Sequence, residues 1–377
     1  MVIVFVVDTF CEVLNGTTMT AQRFVKGLRE RGHEVRVLAI GEPGPDNYYV
    51  NEAHYGFVSK LGHASGIGFA KFDRAVARQA LDGADVVHFL LPLPFEMQVL
   101  KVAQEMGVPH SAAYHMQPEN MSYIMHLNKV PGFNTFLYNL YNKMFYKHFR
   151  HIHCPSQFIA RELQKHQYEA KLYVISNGVG ENFVPAETYR EPDPDLYHIL
   201  MIGRLNPEKR QEVLIDAVAH SKYKDKIQIH FAGIGNTKKH LIEKGRILKH
   251  PPTIDFYDQK DLIDLMHNSD LYVHTAVVEI EAIACLEALS AGMVPVICNS
   301  EMSATTQFAL DARSLFRADD PRDLAEKIDY WIEHPEEKKE MSQKYAESGK
   351  HYQLQDSITK MEYMLTECIR DFQEREG

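Results

Sequence analysis

Two series of short apolar runs, each alternating with helical patterns, constrain this chain more than any other feature of its sequence. The first series opens with Val2–Val7, a run rich in β-branched residues that is typical of a strand buried on both faces. The second opens with His198–Gly203. Strands that alternate with helices form parallel sheets, so the sequence predicts an α/β protein. Open parallel sheets bind ligands at the carboxyl ends of their strands, and we therefore expect two Rossmann-like domains that face each other across a cleft.

The stretch 181–196 interrupts this alternation. It contains Pro185 and the segment Glu191–Asp195, in which acidic residues alternate with prolines, and it has little apolar content. This composition predicts an interdomain linker. We therefore expect a first domain at 1–180, a second domain at 197–352, and a helical tail from about 353 to 377.

Net charge and cysteine spacing argue against two broad classes of protein. The formal net charge of −10 disfavours general nucleic-acid binding, which requires a basic surface. The five cysteines lack the short spacings of zinc ligands, as expected for reduced thiols in a cytoplasmic protein. No run of about 18 apolar residues is present, so we expect no membrane-spanning helix.

A pair of glutamates marks the strongest candidate site. Glu279 follows a predicted strand, and Glu287 lies about two turns into the next predicted helix. The start of that helix, near Ala282 to Cys285, is expected to offer unpaired backbone N–H groups to an anion. A diphosphate there would have a carboxylate on each side, one for the hydroxyls of a sugar and one for those of a ribose. Alternatively the two glutamates are unrelated, and one of them is a charge favoured by the helix dipole.

A second candidate is the segment Gly203–Lys209, which follows the first strand of the second domain. Gly203 permits close backbone approach. Arg204 and Lys209 are expected at the carboxyl edge of the sheet, where two cations suit a diphosphate leaving group. As exposed loop cations they should add little stability. The alternative is a solvated turn before a helix.

Two further segments follow strands of the first domain. Asn15–Thr18 contains a glycine that would let a ligand approach the backbone, although it lacks the dinucleotide-binding pattern GxGxxG. Tyr114–Asn120 contains a dense polar set that includes His115. The alternatives are an ordinary strand–helix turn for the first segment and a core histidine for His115.

These motifs occur in a familiar order. GRLNPEK, the glutamate pair with LEAL and AG after it, SNGV at Ser176–Val179 and the glycine loop together resemble the family 4 retaining glycosyltransferases of GT-B fold. The sequences of some segments are similar to those of bacterial members that modify lipids or surface glycans. The resemblance covers essentially the whole chain. It implies that the C-terminal helix crosses back to the first domain.

The resemblance also implies a role for each motif. Arg204 and Lys209 would hold the donor diphosphate, Glu279 would contact the donor sugar, and Glu287 would contact the ribose. His115 would lie near the reacting carbon of the sugar. The remaining donor contacts would come from Gly16, Thr17, Asn177, Gly203, Phe256, Tyr257, Ala284, Cys285 and Leu286.

One motif departs from the family pattern. Many relatives carry Glu-Gly-Phe-Gly where this chain has Glu279-Ile280-Glu281-Ala282. Glu281 is therefore either a sugar contact or a surface charge.

The resulting hypothesis is transfer of a hexose, with retention, from UDP-glucose or a similar nucleotide sugar. The acceptor would be a hydroxyl of a membrane lipid such as diacylglycerol, or of a cell-surface glycan precursor. The nucleotide sugar is a substrate, and neither a cofactor nor a metal ion is expected. The alternatives are a sugar-nucleotide epimerase of similar fold and a non-catalytic subunit that binds sugar nucleotides.

A basic and aromatic segment suggests contact with a membrane. Between Asn120 and Arg161 there is no Asp or Glu. A helix from about Phe133 to Arg150 would carry aromatic and basic residues suited to a headgroup interface. The predicted contacts are Phe133, Phe136, Lys143, Lys147 and Arg150, and they favour a peripheral protein on the inner face of the cell membrane. The alternative is that the aromatics are core and the cations a solvated face.

Overall fold

The computed structural model describes residues 1–11, 16–41, 47–56, 59, 68–125 and 127–376. Contacts between residues divide the chain into two compact units. Unit 1 contains residues 1–178 together with 354–377, and unit 2 contains 179–353. The chain therefore leaves unit 1, completes unit 2, and returns.

The described part of unit 1 is built on a parallel sheet with strand order β3-β2-β1-β4-β5-β6-β7. The strands are β1 (Val2–Thr9), β2 (Glu34–Ile40), β3 (Asn47–Val50), β4 (Val86–Phe89), β5 (His110–Ala113), β6 (His151–Cys154) and β7 (Lys171–Val174). The helices between them are α1 (Gly16–Glu30), α2 (Arg74–Leu81), α3 (Pro94–Glu105), α4 (Pro118–Ile124), α5 (Phe133–Met144) and α6 (Gln157–Lys165). Residues 3–8 of β1 are all buried, as its apolar sequence predicts for a central strand.

Unit 2 repeats this arrangement with a second parallel sheet of order β10-β9-β8-β11-β12-β13. The strands are β8 (Tyr197–Ile202), β9 (Ile227–Ala232), β10 (Thr253–Asp255), β11 (Leu271–His274), β12 (Pro295–Asn299) and β13 (Leu315–Arg317). The helices are α7 (Gln211–His220), α8 (Lys238–Gly245), α9 (Gln259–His267), α10 (Ile283–Ser290), α11 (Pro321–Glu333) and α12 (Pro335–Gly349). The prediction of two Rossmann-like α/β domains is confirmed.

The C-terminal helix α13 (Leu354–Glu376) belongs to unit 1, as predicted. Its apolar face packs into the core formed by β1, β2 and α1. A Cβ atom at Gly27 of α1 would lie 2.0 Å from Ile358 Cδ1, so the two helices approach closely at this glycine. Burial of Ile358, Met361, Met364 and Leu365 makes the last helix part of the first core.

The helix predicted from about Phe133 to Arg150 is shorter than expected. It ends at Met144, because Phe145 leaves the helical conformation with φ −136° and ψ −63°. Phe145, Tyr146 and Phe149 are buried, so these aromatics belong to the core. In the described part of the chain, no helix has both the length and the apolar character needed to cross a bilayer.

Candidate functional site

Two loops at the carboxyl edge of the unit 2 sheet are in close backbone contact. A Cβ atom at Gly233, after β9, would lie 2.0 Å from the Gly203 carbonyl oxygen. A Cβ at Gly235 would lie 2.3 Å from the Leu205 carbonyl oxygen. Gly203 itself has φ +150°, which glycine tolerates best. The loop that carries Arg204 and Lys209 is therefore held against the next loop by contacts that only glycines allow.

Lys209 and Glu279 form the centre of the candidate site. The Lys209 Nζ pairs with Glu279 Oε1, and their side chains are only 14% and 11% exposed. His274 Nε2, at the end of β11, lies 3.2 Å from the same oxygen. The Tyr272 hydroxyl and His274 Nδ1 are 3.0 Å apart. The structure thus brings together two predicted site residues and adds His274, which the sequence analysis missed.

The environment keeps Glu279 ionised. Burial alone would raise the pKa of its carboxyl, but the Lys209 charge and the adjacent His274 ring outweigh this effect and lower the pKa to about 2. The expectation that Lys209 is an exposed loop cation is therefore wrong. Its removal would leave a buried carboxylate without its cation, which is costly.

Arg204 lies on the same loop and is half-buried. Its carbonyl oxygen accepts a hydrogen bond from Gln211 Nε2 at 2.9 Å, which fixes the loop against the start of α7. Phe256 and Tyr257 follow β10 at the same sheet edge, with Phe256 67% exposed and Tyr257 half-buried. These positions are compatible with the predicted contacts to the nucleotide.

The start of helix α10 differs from the prediction in one respect. The backbone N–H groups of Cys285 and Leu286 both donate to the Ala282 carbonyl, at 3.0 and 3.3 Å. The N–H groups of Cys285 and Leu286 are thus already bonded within the first turn of the helix. The side chains of Cys285 and Leu286 are fully buried.

Although this chain lacks the glycines of the family motif, its backbone still adopts a conformation that favours glycine. Ala282 adopts φ +68° and ψ +73°, in the left-handed region that normally favours glycine. Glu281 is 1% exposed and Glu287 is 5% exposed. The alternative of a surface charge at Glu281 is therefore wrong.

In unit 1, His115 belongs to a cluster of three buried histidines. The His115 ring lies edge to face with the His153 ring, with centroids 5.2 Å apart. The His153 and His88 rings stack with centroids 6.1 Å apart. His153 Nε2 lies 2.7 Å from the Ile175 carbonyl oxygen, so it carries the hydrogen, and His88 Nδ1 lies 2.9 Å from Ser111 Oγ. His153 therefore contacts both His115 and the segment leading to Asn177.

Burial keeps this histidine cluster neutral. It lowers the pKa of His115 well below the ordinary histidine value, and proximity to His153 and His88 lowers it further. Burial also lowers the pKa of His153 to about 4. At neutral pH, His115 is therefore an uncharged hydrogen-bonding group rather than a cation.

The two remaining unit 1 segments lie near strand ends. Helix α1 begins at Gly16, where a side chain would meet open space, while Asn15 lies outside the described residues. Thr17 is half-buried in the first turn. Asn177 is buried, and Gly178 has φ +78° with its Cα packed against Leu354. A Cβ at Gly178 would lie 2.7 Å from Leu354 Cα, so a larger residue is excluded there.

A pair of buried carboxyls also lies at the end of β1. Asp8 Oδ1 accepts a hydrogen bond from the Ala70 N–H at 2.6 Å. Glu96, in the first turn of α3, contacts Asp8, and both residues are buried. Burial raises the pKa of Asp8 to about 6 and, together with the Asp8 charge, raises that of Glu96 well above its usual range. Neither residue was singled out from the sequence.

The predicted membrane contacts lie on and after α5. Phe136 is 56% exposed and stacks on the half-buried Phe133, with ring centroids 6.3 Å apart. Lys143, Lys147 and Arg150 are all exposed. The residues predicted as contacts are therefore at least partly accessible, whereas the buried aromatics just after the helix are not.

Two family models match this chain, and together they cover most of it. The model described as Glycosyltransferase Family 4 matches residues 14–182, and the model described as Glycosyl transferases group 1 matches residues 190–349. A curated relative is the GDP-mannose-dependent alpha-mannosyltransferase of Mycobacterium tuberculosis. It is 25% identical over 324 residues, which cover 78% of each chain.

A solved structure shares the fold. Sucrose-phosphate synthase from Thermosynechococcus elongatus has a TM-score of 0.78 at 12% identity, over 98% of this chain and 100% of its own. The catalytic domain of cholesterol-alpha-glucosyltransferase from Helicobacter pylori is 46% identical over 41% of this chain and 98% of its own, and its TM-score of 0.41 adds nothing to the fold assignment. The two model matches and the paired parallel-sheet units lead to one conclusion. This chain is a nucleotide-sugar-dependent glycosyltransferase, and it belongs to glycosyltransferase family 4 with the GT-B fold.

Proposed function

We propose that this glycosyltransferase moves a hexose, with retention, from UDP-glucose or a similar nucleotide sugar to a hydroxyl of a membrane lipid or of a cell-surface glycan precursor. The observation that carries the proposal is the buried cluster of Lys209, Glu279 and His274. An ionised carboxylate accepts hydrogen bonds only, so it suits sugar hydroxyls. The mannosyltransferase relative, which transfers another hexose by its name, supports this class of donor.

The low pKa of Glu279 favours transfer over epimerisation. A general base works best with a pKa near the operating pH, and a carboxyl with a pKa of about 2 is a weak one. An epimerase needs acid and base groups beside the sugar ring, whereas a retaining transferase does not need one on the enzyme. The acceptor hydroxyl would attack the sugar from the face that the phosphate leaves. The sugar–phosphate bond breaks as the new bond forms, and the departing phosphate oxygen takes the acceptor proton.

The charges that develop in this step match the proposed roles of the side chains. Arg204, Lys209 and the first turn of α10 would stabilise negative charge on the leaving diphosphate, which is usually the largest catalytic contribution. His115, being neutral, would stabilise the oxocarbenium-like sugar through its orientation or its backbone carbonyl. Glu287 would bind the ribose hydroxyls.

We further propose that the reaction needs no metal ion. Two cations can neutralise a leaving diphosphate in place of a divalent metal. Over the residues that the structure describes, no three His, Cys, Asp or Glu side chains are grouped in a way that could hold a metal.

We propose that the first unit docks on an anionic membrane through the surface around α5, as a peripheral protein on the cytoplasmic side. Large apolar side chains are exposed there, with Phe136 56%, Met144 50% and Val130 48% accessible. Three exposed cations, Lys143, Lys147 and Arg150, lie on and after the same helix. Each cation near anionic lipid contributes about 1 kcal/mol, so several can recruit the enzyme reversibly.

The transfer proposal is tested by incubating the protein with UDP-glucose or GDP-mannose, with and without diacylglycerol vesicles. A glycolipid whose new bond has the anomeric configuration of the donor supports the proposal. Conversion of the donor sugar without acceptor would identify an epimerase. Donor binding without any turnover would identify a binding subunit. A product with the opposite anomeric configuration would contradict retention but would still support sugar transfer.

Membrane docking is tested by sedimentation with vesicles of increasing anionic lipid content. Binding of the wild-type protein should rise with anionic content, and Lys143→Glu/Lys147→Glu should weaken it. Binding that ignores both changes would exclude membrane docking and favour a soluble or polymeric acceptor.

A further inference from the structure

A cavity of about 570 Å³ opens in unit 1 at the amino-terminal edge of the sheet. It adjoins the first residues of β6 and β7, whereas His115 and Asn177 follow the carboxyl ends of β5 and β7. The cavity is therefore separate from the candidate site for sugar transfer. Its polar wall includes Asn142, Lys147, Arg150, Gln167, Lys171 and Arg375.

The cavity carries an excess of positive charge in a chain that is acidic as a whole. Four cations line it, against the two carboxylates Glu169 and Asp371. Asp371 lies 2.9 Å from His151, and Lys171 is bonded to Glu367 at 3.0 Å. Among the residues described, the side chains of Lys147, Arg150 and Arg375 form no ion pair. Their three positive charges exceed that of the remaining wall carboxylate, Glu169, so the wall keeps a net positive charge for a ligand.

Gln167 provides a second, independent observation. It closes helix α6 with φ +57°, the left-handed position that usually holds glycine after a helix. Hydrogen bonds from the Gln167 N–H to Gln164 O and from the Tyr168 N–H to Leu163 O, both 3.0 Å, complete the turn. A left-handed residue other than glycine costs about 1–2 kcal/mol. This strain places an amide side chain in the cavity wall at a position where glycine would be more stable.

The apolar part of the wall is fixed. The Tyr146 hydroxyl donates to the Ala113 carbonyl at 3.1 Å, and the Tyr168 hydroxyl donates to the Tyr138 carbonyl at 2.7 Å. Phe149 packs against Phe145 with ring centroids 4.7 Å apart. The volume lies in the range of ligand sites, about 300–1,000 Å³. The cavity is therefore a preformed pocket with exposed cations at its mouth.

We propose that this cavity binds a phosphate ester group. Two arginines can each donate paired hydrogen bonds to phosphate oxygens, Lys147 adds a point charge, and the Gln167 amide adds a neutral donor. The group could belong to an anionic lipid headgroup or to a soluble phosphate ester, which share this chemistry. The proposal does not depend on the transfer reaction, because the cavity lies at the other edge of the sheet.

The experiment compares the wild-type chain with three variants. Arg150→Gln/Arg375→Gln removes two cavity cations, and Lys129→Gln/Lys143→Gln removes two exposed cations of unit 1 that do not line the cavity. Gln167→Gly removes the amide and relieves the strain. Binding is measured by calorimetry with glycerol 3-phosphate, and by sedimentation with phosphatidylglycerol or phosphatidylcholine vesicles.

The expected result is a loss of at least tenfold in affinity for one probe in Arg150→Gln/Arg375→Gln, with a smaller loss in the matched control. Gln167→Gly should weaken binding while its melting temperature stays equal or rises, which a purely structural residue would not do. Binding of phosphatidylglycerol vesicles alone identifies a lipid headgroup, and binding of glycerol 3-phosphate identifies a soluble ester. Failure of the wild type to bind either probe overturns the proposal. Equal losses in the two charge variants, or none in the cavity variant, also overturn it.

Discussion

The carboxyl edges of the two sheets have the same backbone architecture and opposite electrostatics. In unit 2, the buried carboxyl of Glu279 is ionised, because Lys209 and His274 are placed against it. In unit 1, no cation of the described residues lies between the buried Asp8 and Glu96, and burial raises the pKa of both. The histidines around His115 are held neutral by burial. A lysine placed against a buried carboxyl thus reverses the direction in which burial shifts its pKa.

This difference matches the separate roles proposed for the two units in the reaction. Departure of a diphosphate requires fixed positive charge, and unit 2 supplies it beside an acceptor for sugar hydroxyls. In unit 1, the neutral histidines around His115 suit an acceptor hydroxyl. The difference also predicts that the stability contributions of the two edges depend on pH in opposite directions. Each of the following changes tests one of the two edges.

The largest effect is expected from removing the unit 2 cations. Arg204→Ala or Lys209→Ala should reduce turnover by roughly 100- to 1,000-fold, the scale for losing one donor that stabilises developing charge. Lys209→Ala should also destabilise unit 2, because Glu279 stays buried without its cation. Initial rates and thermal melting measure the two effects.

A double variant separates the roles of Lys209. Lys209→Ala/Glu279→Gln should recover stability but not turnover, whereas Lys224→Met, at an exposed lysine of unit 2, should change neither. Near-normal turnover in both single variants would remove the two cations from the leaving-group site.

The next effect concerns the stability of unit 1. The folded pKa of Asp8, about 6, lies above its unfolded value of 3.8. Its contribution to stability is therefore fully present below pH 3.8 and is lost as pH rises through about 6. The loss amounts to about 3 kcal/mol, at 1.36 kcal/mol per pKa unit.

Thermal melting between pH 4 and pH 8 measures this slope. Asp8→Asn should flatten it, and the exposed Asp82→Asn should leave it unchanged. Glu279, with its lowered pKa, should contribute the reverse slope, lost as pH falls from 4.5 towards about 2. An unchanged slope in Asp8→Asn would mean that the fold does not raise the pKa of Asp8.

A smaller effect is expected at His153, which we regard as a positioning residue for His115. No described residue forms a hydrogen bond with the His115 ring, whereas the His153 ring lies 5.2 Å from it. His153→Ala should lower kcat roughly tenfold with the donor KM unchanged, within the 100-fold that a shift of about 1 Å can cost. His153→Phe keeps a ring in place and should recover part of this loss. A raised KM with normal kcat would instead indicate a role in donor binding.

The smallest effect should come from chelation. Because Arg204 and Lys209 are proposed to neutralise the leaving diphosphate, EDTA should leave turnover unchanged. Complete loss of turnover that magnesium restores would show that the two cations of unit 2 do not neutralise the diphosphate without a metal ion.

Much of the fold could be predicted from sequence patterns, but the electrostatic environment of the candidate site could not. The strands predicted at Val2–Val7 and His198–Gly203 are observed at Val2–Thr9 and Tyr197–Ile202, because runs of apolar residues mark buried strands. The prediction for α5 failed at Phe145, where packing of a buried aromatic overrides helical periodicity. His88 and His153 were missed, because a histidine within a strand reads as core and its neighbours come from other strands. The Lys209–Glu279 pair joins residues 70 positions apart, which spacing along one chain cannot reveal.

The return of helix α13 to unit 1 has a consequence for biosynthesis. Unit 2 is a continuous segment, 179–353, so all of it is synthesised before helix α13. Unit 1 must wait for Ile358, Met361, Met364 and Leu365 before its core closes. Until then, the apolar surface of α1 and β1 is uncovered on the nascent chain. A ribosome that stops shortly before the last helix should therefore release a chain with one folded unit and one that requires a chaperone.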